Sequence, residues 1–308
     1  MTAAAVTPVP PVLRAAALQL PGCTGEREHD LAVAVAAVRA AAEAGARLVL
    51  LPELAVTPYF ASLPVGAYRE HAQTVPGPLV DTFAALAREL SVIVVLPLFE
   101  HDPGSGTWHN SAVVLGPEGT VVPAVDRHGS SRTTVRKLHL PVLDDPPCDE
   151  AGHFTAGAGL GVHDVAGIRL GVLICYDRRF GECWRELRSL GAQVVLVPIA
   201  GSGGEDSEYV IGELRAHARE NGLPVVAASK VGPEQVGGTV VDNVGDSAVI
   251  DAAGKVLAHR PGAAGPGLAL ADLDLHGLPA VRRRLRFFDH RRPDLFGGPP
   301  LDIAVETP

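Results

Sequence analysis

Short apolar runs alternate with helix-forming stretches along much of this chain, and this alternation restricts the possible folds more than any other feature. The apolar runs predict strands at residues 12–20, 48–51, 92–98, 170–175, 193–197 and 224–228. The helix-forming stretches cover residues 28–44, 78–90, 182–190 and 208–221. Such alternation is typical of layered α/β proteins, in which helices cover the faces of a sheet. We therefore predict an α/β fold.

Two turn-separated pairs of apolar runs predict hairpins, one at residues 111–125 and one at residues 247–259. The intervening residues 126–159 predict a long polar loop, and a loop of that length is usually functional when it is ordered. No stretch is rich enough in Gly, Ser or charge to mark an internal linker. We predict a flexible leader at 1–11, one domain at 12–297 and a C-terminal tail at 298–308.

Composition restricts the class of protein. A hydrophobic fraction of 47% excludes a disordered or fibrous chain, and a net charge of -9 argues against nucleic acid as the main partner. The four cysteines show neither CxxC pairing nor zinc-type spacing, which predicts reduced thiols in a cytoplasmic protein. Residues 1–11 lack a basic segment and contain three prolines, so we expect neither a signal peptide nor a membrane span.

Cys175 lies where a predicted strand gives way to a helix. Backbone N–H groups at a helix start favour a thiolate, so this position suits a nucleophile. The alternative is an ordinary buried cysteine, since free cysteine is among the most buried residue types. Charged residues from Asp177 to Glu186 crowd around this one thiol, which favours the catalytic interpretation.

Three other polar residues are candidates for chemistry. Glu53 follows a buried strand directly, and ligand sites in α/β sheets form at the carboxyl ends of strands. Lys137 lies in a segment where charged and apolar residues alternate, and Glu150 follows in the same predicted loop. On position alone, an ordinary loop carboxylate and an exposed edge-strand lysine remain open alternatives.

Taken together, the segments Pro52-Glu53, Arg136-Lys137-Leu138-His139-Leu140-Pro141 and Ile174-Cys175-Tyr176-Asp177-Arg178-Arg179-Phe180 resemble the nitrilase superfamily of carbon–nitrogen hydrolases in order and spacing. The resemblance covers roughly residues 12–297. It implies a four-layer α-β-β-α sandwich that forms a homodimer or a higher even oligomer. It also implies that the C-terminal segment from Arg282 packs on a partner subunit.

The resemblance also implies a catalytic Glu–Lys–Cys triad, here Glu53, Lys137 and Cys175, with Glu150 as a second glutamate that positions lysine and substrate. The backbone N–H of Tyr176 would assist at the oxyanion. The implied reaction passes through a thioester acyl-enzyme and needs no metal or organic cofactor.

Tyr176-Asp177 resembles the amidase and carbamoylase branches, and the chain is most similar to the N-carbamoyl-D-amino acid amidohydrolase, carbamoylputrescine amidase and β-ureidopropionase branches. We predict an N-carbamoyl amino acid or amine as substrate, bound by Arg178, Arg179, His139 and Phe154. Arg178 could hold a substrate carboxylate, whereas a structural role is favoured for Arg179, paired with a carboxylate such as Glu182 or Glu186. A cationic amine as substrate would instead need acidic residues such as Glu205, Asp206 or Glu208 at the mouth of the site. The alternatives are a short aliphatic or ω-amidase and an amide-forming transferase.

Overall fold

The computed structural model describes residues 11–144, 147–201 and 205–295 of the chain. In these ranges the strands are β1 (Val12–Pro21), β2 (Leu48–Leu50), β3 (Ile93–Asp102), β4 (Thr107–Leu115), β5 (Ala124–Val125), β6 (Ser131–Arg132), β7 (Val135–Arg136), β8 (Val142–Asp144), β9 (Pro147–Asp149), β10 (Val162–Val165), β11 (Ile168–Val172), β12 (Val194–Ile199), β13 (Val225–Val236), β14 (Thr239–Val244), β15 (Ser247–Ile250), β16 (Val256–Arg260) and β17 (Gly267–Asp274). The α-helices are α1 (Arg27–Glu43), α2 (Pro78–Leu90), α3 (Glu150–His153), α4 (Gly181–Ser189), α5 (Ser207–Asn221) and α6 (Leu278–Leu285).

Most of the strands form two half-sheets joined at one point; β14 extends the end of β13, and β8 and β9 form a separate two-stranded sheet. The first half-sheet has the order β17-β1-β2-β3-β4-β7, and the second has the order β16-β15-β13-β12-β11-β10-β5-β6. At the junction β1 runs parallel to β13, with Leu20 opposite Lys230. In each half the central strands are parallel, so their carboxyl ends meet at one edge. A site built from several segments can form there.

Side chains alternate across the strands and divide the core into layers. On β1, Ala15 and Ala17 face the second half-sheet, whereas Ala16 and Leu18 face α1 and α2. Trp184 of α4 belongs to the same core cluster as the second half-sheet and is fully buried there. The layers are therefore α1 and α2, the first half-sheet, the second half-sheet, and α4 and α5, which confirms the four-layer α-β-β-α fold.

Several predicted elements appear at their predicted positions. Helix α2 begins at Pro78, where a fixed φ suits the first turn, and the hairpin of β15 and β16 is present. The predicted hairpin at 111–125 forms its turn, with the N–H of Gly116 bonded to the Thr120 carbonyl, but its second strand is much shorter than predicted. β4 pairs with β3 along its whole length, and only a single bridge links Leu115 to Val121. The stretch predicted as a polar loop also contains the short strands β6 to β9 and the helix α3.

Part of the C-terminal segment contacts its own subunit, whereas Phe287 and Leu295 are exposed. The Arg282 guanidinium donates to the carbonyl oxygens of Gly222 (2.9 Å) and Ala192 (2.8 Å). The Arg188 guanidinium lies 5.0 Å from the ring centre of Phe288. Residues 296–308 and 1–10 lie outside the described residues, so the domain limits and the contact with a partner subunit remain predictions. The homodimer is also a prediction, and light scattering would test it.

None of the helices in the described ranges combines the length and the apolar character that a membrane span requires.

Candidate active site

The predicted catalytic residues meet at a cavity of about 810 Å³ at the carboxyl ends of the strands. Lys137 follows β7 directly, Glu150 begins α3, and Cys175 follows β11 after a short extension. All three side chains line the cavity, together with Tyr176. Glu53, just beyond β2, lies behind them and is fully buried. The fold therefore gathers four segments that are far apart in sequence.

The backbone is strained at Cys175 and directly after Glu53. Cys175 has φ of 46° and Leu54, directly after Glu53, has φ of 48°, both in the left-handed region that non-glycine residues rarely adopt. Such a conformation costs about 1–3 kcal/mol and is commonly found at functional sites. Cys175 also begins a 3₁₀ turn that ends at Arg179, whose neighbour Arg178 donates from Nη1 to the Cys175 carbonyl at 3.1 Å. The Cys175 thiol therefore lies on a sharp turn that the Arg178 side chain stabilises.

One ammonium group bridges two carboxylates in the interior. Lys137 Nζ donates to Glu53 Oε1 at 2.9 Å and to Glu150 Oε1 at 2.7 Å. Glu53 also accepts from Asn110 Nδ2 at 2.7 Å and, through Oε2, from the backbone N–H of Ala200 at 2.8 Å. Glu53 is thus held by three donors, which fixes the direction of its carboxylate.

Burial and charge oppose each other at the lysine and the second glutamate. Burial alone would lower the pKa of Lys137, but the carboxylates of Glu150 and Glu53 outweigh it and hold the pKa well above its ordinary value. Burial raises the pKa of Glu150 to about 7, against the opposing effect of Lys137. Glu150 Oε2 is buried and has no hydrogen-bond partner within the described part of the chain. The lysine therefore stays cationic at neutral pH, between two buried carboxylates.

The thiol is not a resting thiolate. Burial, and next the Glu53 carboxylate, raise the pKa of Cys175 to about 12, although Lys137 and Arg178 act in the opposite direction. Burial therefore works against the thiolate that the start of a helix was expected to favour. Sγ lies 3.7 Å from the carbonyl oxygen of Ala200, whose N–H binds Glu53. Ala200 therefore contacts both the thiol and the carboxylate that could take its proton.

Tyr59 is a site residue that the sequence did not reveal. Its hydroxyl donates to Glu150 Oε1 at 2.6 Å and lies 3.3 Å from Cys148 Sγ. Burial, and next the charge of Glu150, raise the pKa of Tyr59 well above its ordinary value, so the phenol remains a donor. The only sequence signal was an aromatic residue in the segment that follows Glu53, which is too weak to predict this contact.

Asp177, in the turn that begins at Cys175, connects this turn to the segment that follows Lys137. Its buried carboxylate accepts from the backbone N–H groups of Leu138 and His139, and it lies 2.8 Å from His139 Nδ1. The His139 ring stacks on Phe180 with 3.6 Å between ring centres, and it lines a separate surface depression of about 1000 Å³ beside α4. His139 is not among the residues that line the site cavity, so its predicted contact with substrate has no support.

Phe154 was also predicted to bind substrate, but it lies in an aromatic cluster behind the site. Its ring centre is 5.5 Å from that of Phe60 and 5.6 Å from that of Phe99. It is 5% exposed and is not among the cavity-lining residues. The structure therefore gives Phe154 a packing role.

The two arginines line the cavity but are paired with carboxylates. Arg178 is fully buried; its Nε donates to Glu213 and its Nη2 to Glu205, each at 2.9 Å. Arg179 forms ion pairs with the same two glutamates. The expected pairing of Arg179 with Glu182 or Glu186 is not observed, and Glu186 instead binds Arg127. Two cations and two carboxylates thus balance one another on this wall.

Glu150 is expected to make the protein less stable as the pH rises toward neutrality. Its folded-state pKa of about 7 lies above the ordinary value of 4.5, so the folded protein retains a proton that the unfolded chain releases between these pH values. Its contribution is complete below pH 4.5 and is lost as the pH rises through about 7. Urea unfolding over this range should show a falling free energy that Glu150→Gln flattens. Parallel curves for the two proteins would contradict this.

Within the ranges that the structure describes, His, Cys, Asp and Glu side chains form no group of three or more that could hold a metal ion.

The four-layer fold and the polar cluster at the strand ends define an α/β enzyme. A family model described as carbon-nitrogen hydrolase matches residues 14–283. This chain therefore belongs to the carbon–nitrogen hydrolase family of the nitrilase superfamily, whose members include amidases.

Two relatives and one solved structure illustrate the similarity. The chain is 29% identical to an N-carbamoylputrescine amidase of Solanum lycopersicum, covering 91% of this chain and 92% of the relative. It is 33% identical to a deaminated glutathione amidase of Homo sapiens, covering 90% and 83%. A crystal structure of a carbon-nitrogen hydrolase from Helicobacter pylori matches with a TM-score of 0.80 at 27% identity, covering 93% and 97%.

Proposed function

We propose that this protein hydrolyses the C–N bond of a linear amide or N-carbamoyl compound through a thioester on Cys175. The observation that carries the proposal is the convergence of Cys175, Lys137 and Glu150 on one cavity, with Glu53 held directly behind them. A thiol whose pKa is raised by burial needs a base at the moment of attack. The buried Glu53 carboxylate, which contacts the same residue Ala200 as the thiol and whose charge acts on it, supplies that base.

The proposed reaction has two halves. Glu53 takes the proton of Cys175 while Sγ attacks the carbonyl carbon, and the oxyanion is stabilised by Lys137 and the backbone N–H of Tyr176. Glu53 returns the proton to the leaving nitrogen, the C–N bond breaks, and ammonia departs. A water molecule then gives a proton to Glu53 and attacks the thioester. The C–S bond breaks, Glu53 returns the proton to the departing Cys175 sulfur, and the acid product leaves. Glu150 holds Lys137 in place throughout.

The electrostatics of the cavity favour a substrate without a carboxylate tail. A substrate carboxylate at Arg178 would have to displace Glu205 or Glu213, both already within 2.9 Å of its guanidinium. Asp242 adds a negative charge to the lining. This disfavours the N-carbamoyl amino acid that the sequence suggested, and it favours an N-carbamoyl amine or a neutral amide. The two relatives are named for different substrates, carbamoylputrescine and deaminated glutathione, so their names do not decide the tail of the substrate of this chain.

The cavity wall also contains apolar groups suited to a longer substrate. Leu143 from β8 is 46% exposed and Val240 from β14 is 53% exposed, and both line the cavity. A volume of about 810 Å³ lies within the roughly 300–1,000 Å³ range of sites that enclose drug-sized ligands. This supports a substrate with several methylene groups over a short aliphatic amide.

Matched substrates test this proposal. Ammonia release would be measured on N-carbamoyl compounds of one chain length that end in a methyl, an ammonium or a carboxylate group, and on the corresponding primary amides. We expect kcat/KM at least about tenfold lower for the carboxylate series, because its charge meets paired arginines and Asp242. A carboxylate series that is the best substrate would refute the tail assignment. Added amines that divert the acyl group into new amides would indicate a transferase.

A further inference from the structure

Lys230 and Glu234 form an ion pair that lies outside the site described above and is deeply buried. Both residues belong to β13, and Lys230 Nζ lies 2.9 Å from Glu234 Oε1 with both side chains fully shielded from solvent. Lys230 sits opposite Leu20, where the two half-sheets join. Burying two charges is costly unless further hydrogen bonds satisfy them. The other hydrogen-bond partners of Lys230 and Glu234 therefore indicate the role of the pair.

The remaining partners of this ion pair belong largely to the segment that follows Glu53. Glu234 Oε2 accepts from the backbone N–H of Tyr59 at 2.8 Å, and Lys230 Nζ donates to the carbonyl oxygen of Thr57 at 2.7 Å. Glu234 Oε1 also accepts from the backbone N–H of Cys23 at 2.6 Å. The ion pair thus replaces the hydrogen bonds that a regular strand or helix would give to this irregular segment.

Glu234, Lys230 and Cys23 are the same three residue types as the proposed catalytic triad, but unlike Lys137 and Cys175 of that triad they do not line the site cavity. None of the three lines either of the cavities described above. Burial also raises the pKa of Cys23 to about 12. Because these three residues line neither cavity, we assign them no chemistry of their own, and we consider instead a role in holding the neighbouring segment.

We propose that the Lys230–Glu234 ion pair is a positioning device that sets the Tyr59 hydroxyl on Glu150, and through Glu150 the ammonium group of Lys137. The path is short and direct. Glu234 binds the backbone of Tyr59, the Tyr59 hydroxyl donates to Glu150 Oε1, and the same oxygen accepts from Lys137 Nζ. The effect on catalysis rests on the proposed function, whereas the effect on Glu150 does not.

A double-mutant cycle tests this path with Tyr59→Phe, Glu234→Gln and the combined variant. Tyr59→Phe removes only the hydroxyl, and Glu234→Gln keeps the size of the side chain but loses the charge. We expect each single variant to lower kcat by between about 10-fold and 100-fold with a smaller change in KM, since small displacements of catalytic groups have effects of this size. The combined variant should lose no more than the worse single variant, because both act through one contact.

A second measurement does not depend on turnover. Because the Tyr59 hydroxyl stabilises the carboxylate form of Glu150, its loss should move the pH range over which Glu150 alters stability to higher pH. Glu234→Gln should move the range in the same direction, and the combined variant no further. Glu89→Gln, which breaks the exposed ion pair with Arg39, is the matched control and should leave both readouts unchanged.

The outcomes separate the inference from the proposed function. Rate losses that multiply in the combined variant, or a Glu234→Gln protein that loses stability while keeping kcat and the pH range, would overturn the positioning role. A wild-type protein inactive on every amide would refute the function, and the shift in pH range would still test the path. If Glu234→Gln fails to fold, Glu234→Asp serves instead, because it keeps the charge but cannot reach both backbone N–H groups.

Discussion

Replacing Cys175 by alanine is expected to abolish turnover while leaving the fold intact. The thiol is the only group in the proposed mechanism that bonds to substrate, and loss of a nucleophile that acts as a unit with its base lowers kcat by roughly 10⁴-fold or more. The structural effect should be small, since Sγ makes only long contacts, at 3.7 Å, to the Ala200 carbonyl and to Arg178. Ammonia release and thermal unfolding measure the two effects.

The matched control for this variant is Cys183→Ala. Cys183 is also buried, but it lies on α4 in the hydrophobic core and does not line the site cavity. It should keep its activity and lose only the stability expected of a small cavity. Mass spectrometry of the wild-type protein quenched during turnover should place the acyl group on Cys175. Activity that survives in Cys175→Ala, or an acyl group on another cysteine, would refute the assignment.

Replacing Lys137 by methionine should have the second largest effect, on both rate and stability. The ammonium is the common partner of Glu53 and Glu150, so its loss leaves two carboxylates unpaired in the interior. Breaking a buried ion pair typically costs about 3–5 kcal/mol of unfolding free energy. The rate should fall by several orders of magnitude, because the oxyanion loses its cation and the base loses its alignment.

The loss of stability in Lys137→Met should depend on pH with a definite sign. Lys137 lowers the pKa of Glu150, so its removal raises that pKa further above the value in the unfolded chain. The folded variant then binds a proton more tightly than the unfolded chain, so its deficit is smallest at acid pH and grows as the pH rises through the folded-state pKa. Urea unfolding at about pH 5 and pH 8 tests this.

A compensating variant makes the stability prediction sharper. Lys137→Met combined with Glu150→Gln removes one of the two unpaired charges, so it should recover part of the stability at pH 8 but none of the activity. A combined variant less stable than Lys137→Met at that pH would contradict the view that Glu150 is the charge left uncompensated.

Local pattern predicted the elements well wherever a segment is both periodic and bounded by clear end signals. Helix α2 and the hairpin of β15 and β16 are such cases. The hairpin predicted at 111–125 is present only as a short pairing next to its turn, because a turn signal does not specify how far the two strands pair or which other strand is the main partner. β4 forms its ladder with β3, which precedes it in the chain, and then contributes Asn110 to the site. Strand pairing is decided by packing between distant segments.

The sequence by itself determined the family, the four-layer architecture it implies, and the candidates Glu53, Lys137, Glu150 and Cys175, because these depend on residue types at ordered spacings. Only the tertiary structure decided their surroundings. Contacts such as Ala200 with Glu53 and Tyr59 with Glu150 join segments far apart in the chain. The neutral resting thiol and the paired arginines are likewise products of folding. A pKa depends on burial and on neighbouring charges, and neither is defined until distant segments pack together.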